Sequence, residues 1–355
     1  MQAIQMSDIQ STYSTQSAPH IPNTNTVAKV MLTVWLALIP AMLAHVYFFG
    51  TGIIIQLTLS IVFALLFEAI SLKLLNKPIK LFLSDYSVFV TGLLFALCIS
   101  PVAPWWISFI GMFFAIVVAK HLFGGLGQNI FNPAMVGFAV VLISFPQSMS
   151  IWLAPEAISP YALSFVENLQ AIFLNQFPSG IEFDTLTQAT PLDSLKTGIK
   201  QEFSISEITA QPLFGNFGGL GWEWIANFYF LGGVFLVYKR IITWRVPTAV
   251  ILTTIAFSLP FNLYDADHFI GPLQHLFSGG LMLAAFFIAT DPTTGCSSHK
   301  GQIYFGAGVA IMTILVREFG NFPDGVAFGI LLMNMSAPLI DRLTIPKPFG
   351  KKTDV

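Results

Sequence analysis

Long apolar runs alternate with short polar breaks along this chain, and ten of the runs are long enough, or nearly so, to cross a bilayer. They cover 27–48, 50–74, 86–100, 104–122, 133–152, 222–239, 245–262, 272–290, 302–317 and 324–341. A hydrocarbon core of about 30 Å takes roughly 17 to 25 helical residues, so the pattern predicts an all-α polytopic membrane protein of about ten transmembrane helices. Residues 1–26 contain no Lys, no Arg and no apolar run. They read as a polar tail rather than a cleaved signal peptide, and 342–355 reads as a second tail. The one sizeable polar connection is 153–221.

The runs divide into two sets of five, 27–152 and 222–341, with internal similarity between them. TGLLFALCIS at 91–100 lies against SGGLMLAAFF at 278–287, GMFFAIVVAKHLFGG at 111–125 against GAGVAIMTILVREFG at 306–320, and NPAMVGFAVVL at 132–142 against PDGVAFGILLM at 323–333. An odd number of spans per copy makes the second copy enter the membrane inverted, and interrupted spans at matching positions then point to a binding region. Both halves have them. The third span runs into Pro101 and Pro104 and its counterpart into Asp291-Pro292, while the fifth and tenth begin at Asn132-Pro133 and Pro323-Asp324. Good helix termini explain the prolines as well as a cofactor or ion site does.

Charge adds orientation. Thirteen of the 16 Lys and Arg fall on the side of the N-terminus if that side holds the even-numbered loops. Retention of basic residues in cytoplasmic loops therefore predicts both termini in the cytoplasm and 153–221 outside, which is periplasmic for a protein of a bacterial inner membrane. Charged residues are only 10% of the chain and net charge is -2, against about a quarter charged in soluble domains. No basic cluster is present, so nucleic acid is not an expected partner; the lipid bilayer is. Two cysteines, Cys98 and Cys296, are too few for an iron–sulfur or zinc site within one chain, which takes about four ligands.

Ionisable residues at membrane depth are functional candidates by default: His45, Glu68, Asp85, Lys120, Asp291, Arg317 and Asp341. Glu68 and Asp291 are the expected ion-pathway residues. For Glu68 the competing expectation is a structural ion pair with Lys73, about 7 Å away along a helix. For His45 it is a hydrogen-bonded packing role. Trp105, Trp106, Trp152, Trp222, Trp224 and Trp244 fall at predicted interfaces, where amphipathic rings are at home.

Four stretches together resemble the D subunit of the Rnf/Rsx membrane electron-transport complexes: 122–146 (LFGGLGQNIFNPAMVGFAVVLISFP), TQATPLD at 187–193, TDPTT at 290–294 and FPDGVAFGILLMN at 322–334. The resemblance covers roughly 19–350 and reaches more distantly to the B subunit of the sodium-translocating NADH:quinone reductase. It implies an FMN carried on a threonine by a phosphodiester bond within an Asp-x-x-Thr-x-Ala-Thr motif. Residue by residue this maps to Asp184, Thr187, Ala189 and Thr190, followed by Pro191, with Thr190 as the attachment point and a flavin-attaching enzyme required. Without the resemblance, this stretch is an ordinary Ser/Thr turn. The distant relative also holds a non-covalent riboflavin, and by analogy Asn129 and Asn132 would meet a second flavin here; a Gly-rich turn capped by Asn explains those two equally well. The implied activity is electron transfer of the ferredoxin/NAD(H) type coupled to cation movement, with iron–sulfur and flavin subunits as partners and no catalytic or metal site in this chain. The rival class is a channel or secondary transporter with no redox cofactor, since inverted repeats serve those as well.

Overall fold

The computed structural model describes residues 26–178 and 186–345. In the first half α1 (Val27–Phe49) is capped by Thr26, whose hydroxyl accepts from Lys29 N–H, and stopped by Gly50 at φ 76°. The next helix, α2 (Gly52–Leu74), follows after one turn. A short α3 (Ser87–Ala96) ends ahead of Pro101 and Pro104. Beyond it, α4 (Trp105–Met112) continues as a π-helical run, Phe113–His121, and α5 (Pro133–Ser144) starts on an Asn132 cap with proline in the first turn. The second half repeats this order with α8 (Trp222–Tyr238), α9 (Arg245–Tyr264), α10 (Pro272–Phe277), α11 (His299–Phe319) and α12 (Val326–Thr344). Past its end at Phe277, α10 breaks at Ser278–Gly280 and resumes as Leu281–Leu283 and a π-helical turn, Ala284–Ile288.

Five of these helices, α1, α2, α9, α11 and α12, are long and apolar enough to cross a membrane. The other five predicted spans are shorter or broken. At 1.5 Å per residue a ten-residue helix covers about 15 Å, half the hydrocarbon core. The remaining depth at those places is irregular backbone, which is tolerated only where protein or a cavity surrounds it. The fifth expected span, 133–152, is interrupted within its length. Its helix stops at Ser144, because Pro146 cannot continue the hydrogen-bond ladder, and a separate turn of helix, Pro146–Ser150, follows.

Packing follows the same order in both halves. The second helix of each lies on the third and fourth, the fourth on the fifth, and the halves meet through α1 against α8 and α5 against α12. The crossings are close where a side chain is missing. A Cβ on Gly137 would collide with the Gly111 carbonyl, and one on Gly232 with that of Ala37. Small residues that let backbones approach are the usual basis of helix association in lipid.

The 153–221 connection is folded. Strand β1 (Trp152–Leu153) pairs antiparallel with β2 (Thr187–Gln188) in the register Trp152 to Gln188. Helix α6 (Phe165–Leu174) begins in a Ser164–Glu167 capping box, and α7 (Pro191–Lys200) is capped by Thr190. A five-residue helix, Ile205–Thr209, sits under α7 through Leu195, Ile205 and Ile208.

Candidate functional site

Thr190 has extended backbone, φ −64° and ψ 156°, which is what a following proline favours, and its hydroxyl accepts from the Asp193 N–H. It is half-buried, Ala189 is exposed and Pro191 is buried. Thr187, in β2, ties the motif to the end of the first half by pairing with Leu153. Asp184 lies outside the described residues. Burial pushes the Asp193 carboxyl up from its ordinary value, against the pull of Lys196 and Lys200. The Lys196 ammonium of α7 donates to the carbonyls of Val316, Arg317 and Phe322 at 3.2, 3.1 and 2.8 Å. Those bonds pin the helix to the end of α11.

Thr190 and Asp193 line an outer cavity of about 130 Å³. Its walls come from both halves: His45 of α1, Cys98 after α3, Met135 and Phe138 of α5, Trp222 and Tyr229 of α8, the break at Ser278–Gly280, and Asp324 before α12. Trp152 and Trp222 stand with ring centroids 4.6 Å apart on one side. Both rings line the cavity, Trp152 buried and Trp222 half-buried. Trp152 is only 8% exposed, held by β1 against the cavity instead of at a lipid interface. His45 is buried, with Nε2 3.0 Å from the Tyr229 hydroxyl, as the packing reading of His45 expects. Two buried polar atoms in this lining, His45 Nδ1 and Ser278 Oγ, have no hydrogen-bond partner among the described residues. Native interiors rarely leave such atoms alone without a ligand, ion or water to meet them.

A second, inner cavity of about 130 Å³ gathers Asn129, Asn132, Asp291, Thr293 and Lys120. Asn129 donates to Phe131 O and Thr293 Oγ1 and accepts from Gly127 N–H. Asn132 caps α5 through Met135 N–H, and its amide lies 3.5 Å from Asp291. Capping and cavity lining therefore coexist in the same two side chains. Asp291 accepts from the Thr293 and Thr294 hydroxyls.

Glu68 is buried as expected, but Lys73 is not its partner. One carboxylate oxygen is 2.9 Å from Lys120 Nζ and the other 2.8 Å from His121 Nε2. Lys120 also donates to Ser87 Oγ. The π-helical run brings consecutive residues 120 and 121 onto one carboxylate, a feature outside the regular helical period and hence invisible to a helix-face reading; His121 was missed for that reason. Of the remaining ionisable candidates, Arg317 is buried and paired with Asp324 at 3.1 Å. Asp341 accepts from Ser297 and Ser298 N–H, and Asp85 from Ser87 N–H. Asp85 closes a local turn, whereas Asp341 reaches from α12 to the residues just ahead of α11.

The two cavities occupy matching places. The outer one lies at the first turn of α12 and the start of the broken helix, the inner one at the first turn of α5 and the start of α3. They are separated by little. Ala134 lines the inner and Met135 the outer; Phe287 lines the inner and Ile288 the outer.

The profile of the NQR2, RnfD, RnfE family matches residues 14–350. The D subunit of the ion-translocating oxidoreductase complex of Aliivibrio salmonicida is 44% identical over 343 residues, covering 95% of this chain and 98% of that protein. The D subunits of the same kind of complex from Cronobacter sakazakii, 43% identical over 95% of this chain and 98% of its own length, and from Mannheimia succiniciproducens, 44% over 94% and 97%, are similar to the same extent. With a match spanning nearly its whole length, this multi-pass membrane chain belongs to the NQR2, RnfD, RnfE family.

Proposed function

We propose that the chain is the membrane subunit of an ion-translocating oxidoreductase complex and that it relays electrons through an FMN esterified to Thr190. The observation that carries this reading is the outer cavity, which unites the Thr190 hydroxyl with two facing tryptophans and two unpartnered polar atoms. The residues fit the group. Thr190 caps a ten-residue helix, and a phosphate on its oxygen sits where helix N–H groups and the dipole favour negative charge, worth about 0.3–1 kcal/mol. The Trp152 and Trp222 rings exclude water from an aromatic occupant, while Ser278 Oγ and His45 offer it polar contacts. When bound, FMN supplies one- and two-electron chemistry that no side chain here possesses. Tethering keeps it at high effective concentration outside the cytoplasm.

In this reading the inner cavity is the place for a second, non-covalent flavin of the riboflavin type, held at Asn129 and Asn132. It shares α5 and the resumed part of the broken helix with the outer cavity, Ala134 and Phe287 lining the one and Met135 and Ile288 the other. The expected ion-pathway residues converge there too: Asp291 lines it, and Glu68 is joined to it through Lys120. Electrons exchanged between ferredoxin and NAD(H) would enter and leave through iron–sulfur and flavin subunits. The complex would lie in a bacterial inner membrane, with both termini cytoplasmic, the two five-helix sets inverted, and Thr190 on the periplasmic side.

Intact-mass spectrometry and in-gel flavin fluorescence of the protein and its Thr190→Ala variant, both co-expressed with a flavin-attaching enzyme, test the reading. It expects a gain of roughly 440 Da, FMN less one water, on the parent alone. A correctly inserted parent protein without the adduct would favour the transporter class instead.

A further inference from the structure

The outer cavity contains a hydrogen-bonded pair that the electron-relay reading does not use. His45 is 2% and Tyr229 4% exposed, on α1 and α8, the helices through which the two halves meet. The Nε2 to hydroxyl distance is 3.0 Å, and His45 Nδ1 has no partner. If Nε2–H donates, the Tyr229 O–H is left pointing onward and Nδ1 keeps a bare lone pair. If Tyr229 donates to Nε2, the Nδ1–H is stranded. Either tautomer leaves the pair with a donor and an acceptor to spare, inside a cavity that also contains a Ser278 hydroxyl with no partner among the described residues.

We propose that Tyr229 and His45 are the proton-transfer pair of the outer cavity, delivering the proton that accompanies reduction of the flavin ring seated there. This rests on the flavin reading of that cavity. Electrons come from a reduced flavin or iron–sulfur cluster of a partner subunit. The Tyr229 O–H bond breaks as its proton is given up to the reduced ring; the His45 Nε2–H proton moves to the tyrosine oxygen, and His45 takes a proton at Nδ1 from solvent, leaving hydroxide in the bulk and His45 as its Nδ1–H tautomer. Neither side chain carries a charge after the transfer, and exchange of the Nδ1 proton with solvent together with reprotonation of Nε2 resets the pair.

The Cys98 thiol acts on Tyr229 directly; the other titratable groups around the pair are otherwise engaged or placed elsewhere on the cavity wall. Asp324 is held by Arg317, and Asp193 belongs to the Thr190 cap. Glu68 on α2 is occupied by Lys120 and His121, and Glu223 on α8 accepts from Phe217 N–H. Glu156 lies beside Gly50, past the end of α1, and the Cys98 thiol lines the cavity.

The test uses flavin-loaded protein, checked first by intact mass. If the parent lacks the adduct, the flavin reading fails, and this proposal with it, before kinetics begin. With adduct present, dithionite reduction is followed by stopped flow through flavin absorbance and, in parallel, a pH indicator. Tyr229→Phe keeps the ring and removes the hydroxyl. It is expected to slow proton uptake by at least about tenfold, within the usual general-acid contribution, so that uptake lags the absorbance change. His45→Gln is expected to slow uptake likewise while the absorbance change keeps the parent rate, a split that a packing role would not produce; it also stands as the test if Tyr229→Phe misfolds. Loaded, folded variants whose proton uptake stays in step with reduction at the parent rate would overturn the proposal.

Discussion

Replacing Lys120 by Met should damage the protein far more than a surface lysine change, and the structure sets the size. Lys120 Nζ is 2.9 Å from Glu68, with side chains 3% and 1% exposed. At an effective dielectric of about 20, two unit charges at that distance attract by about 6 kcal/mol. Much of this offsets desolvation, but removing one partner of a buried pair leaves the other uncompensated, at a cost of about 3–5 kcal/mol. His121, 2.8 Å from the second oxygen, keeps one hydrogen-bond partner on the carboxylate, so the lower end is expected. The assay is a double-mutant cycle on detergent-purified protein: Lys120→Met, Glu68→Gln and the double variant, by thermal unfolding. Lys120→Met alone should lower Tm by on the order of 10 °C. The double variant, which buries no unpaired charge, should cost at least about 2 kcal/mol less than the sum of the singles. Additivity within about 0.5 kcal/mol would refute the pairing, and with it the role assigned to the π-helical run in presenting residues 120 and 121 together.

Further outcomes follow from particular contacts. Gly137→Val should lower Tm through overpacking, at about 1–3 kcal/mol, because its Cβ faces the Gly111 carbonyl and Ala115; an unchanged Tm would mean α4 and α5 do not cross there. Lys196→Met should expose α7 to limited proteolysis by removing three bonds to the end of α11; undiminished protease resistance would show that the apolar contacts of Leu195 suffice. Hydrogen bonds from Ser164 and Tyr161 hold the Glu167 carboxyl below its ordinary 4.5. A depressed folded value gives stability that is present above about that pH and lost as pH falls through the folded value. Hydrogen-exchange protection of α6 in the parent should therefore exceed that in Glu167→Gln at neutral pH and converge with it in acid.

Much of this protein is legible in one dimension. Apolar runs locate the ten membrane-region helices named above, since burial in lipid is a property of composition over about 20 residues. Asn132-Pro133 and Thr190-Pro191 mark helix starts because capping and a proline-fixed φ act within four residues. What sequence could not supply was which faces meet. The ion partners of Glu68 and the burial of Trp152 depend on neighbours distant in the chain. Helix rotation and close crossings such as Gly137 on Gly111 are fixed by packing rather than by local propensity. Tertiary structure alone made one cavity from His45, Trp222, Tyr229 and Thr190, drawn from segments up to 184 residues apart. A cavity is the space that several elements jointly fail to fill, and no single segment encodes it.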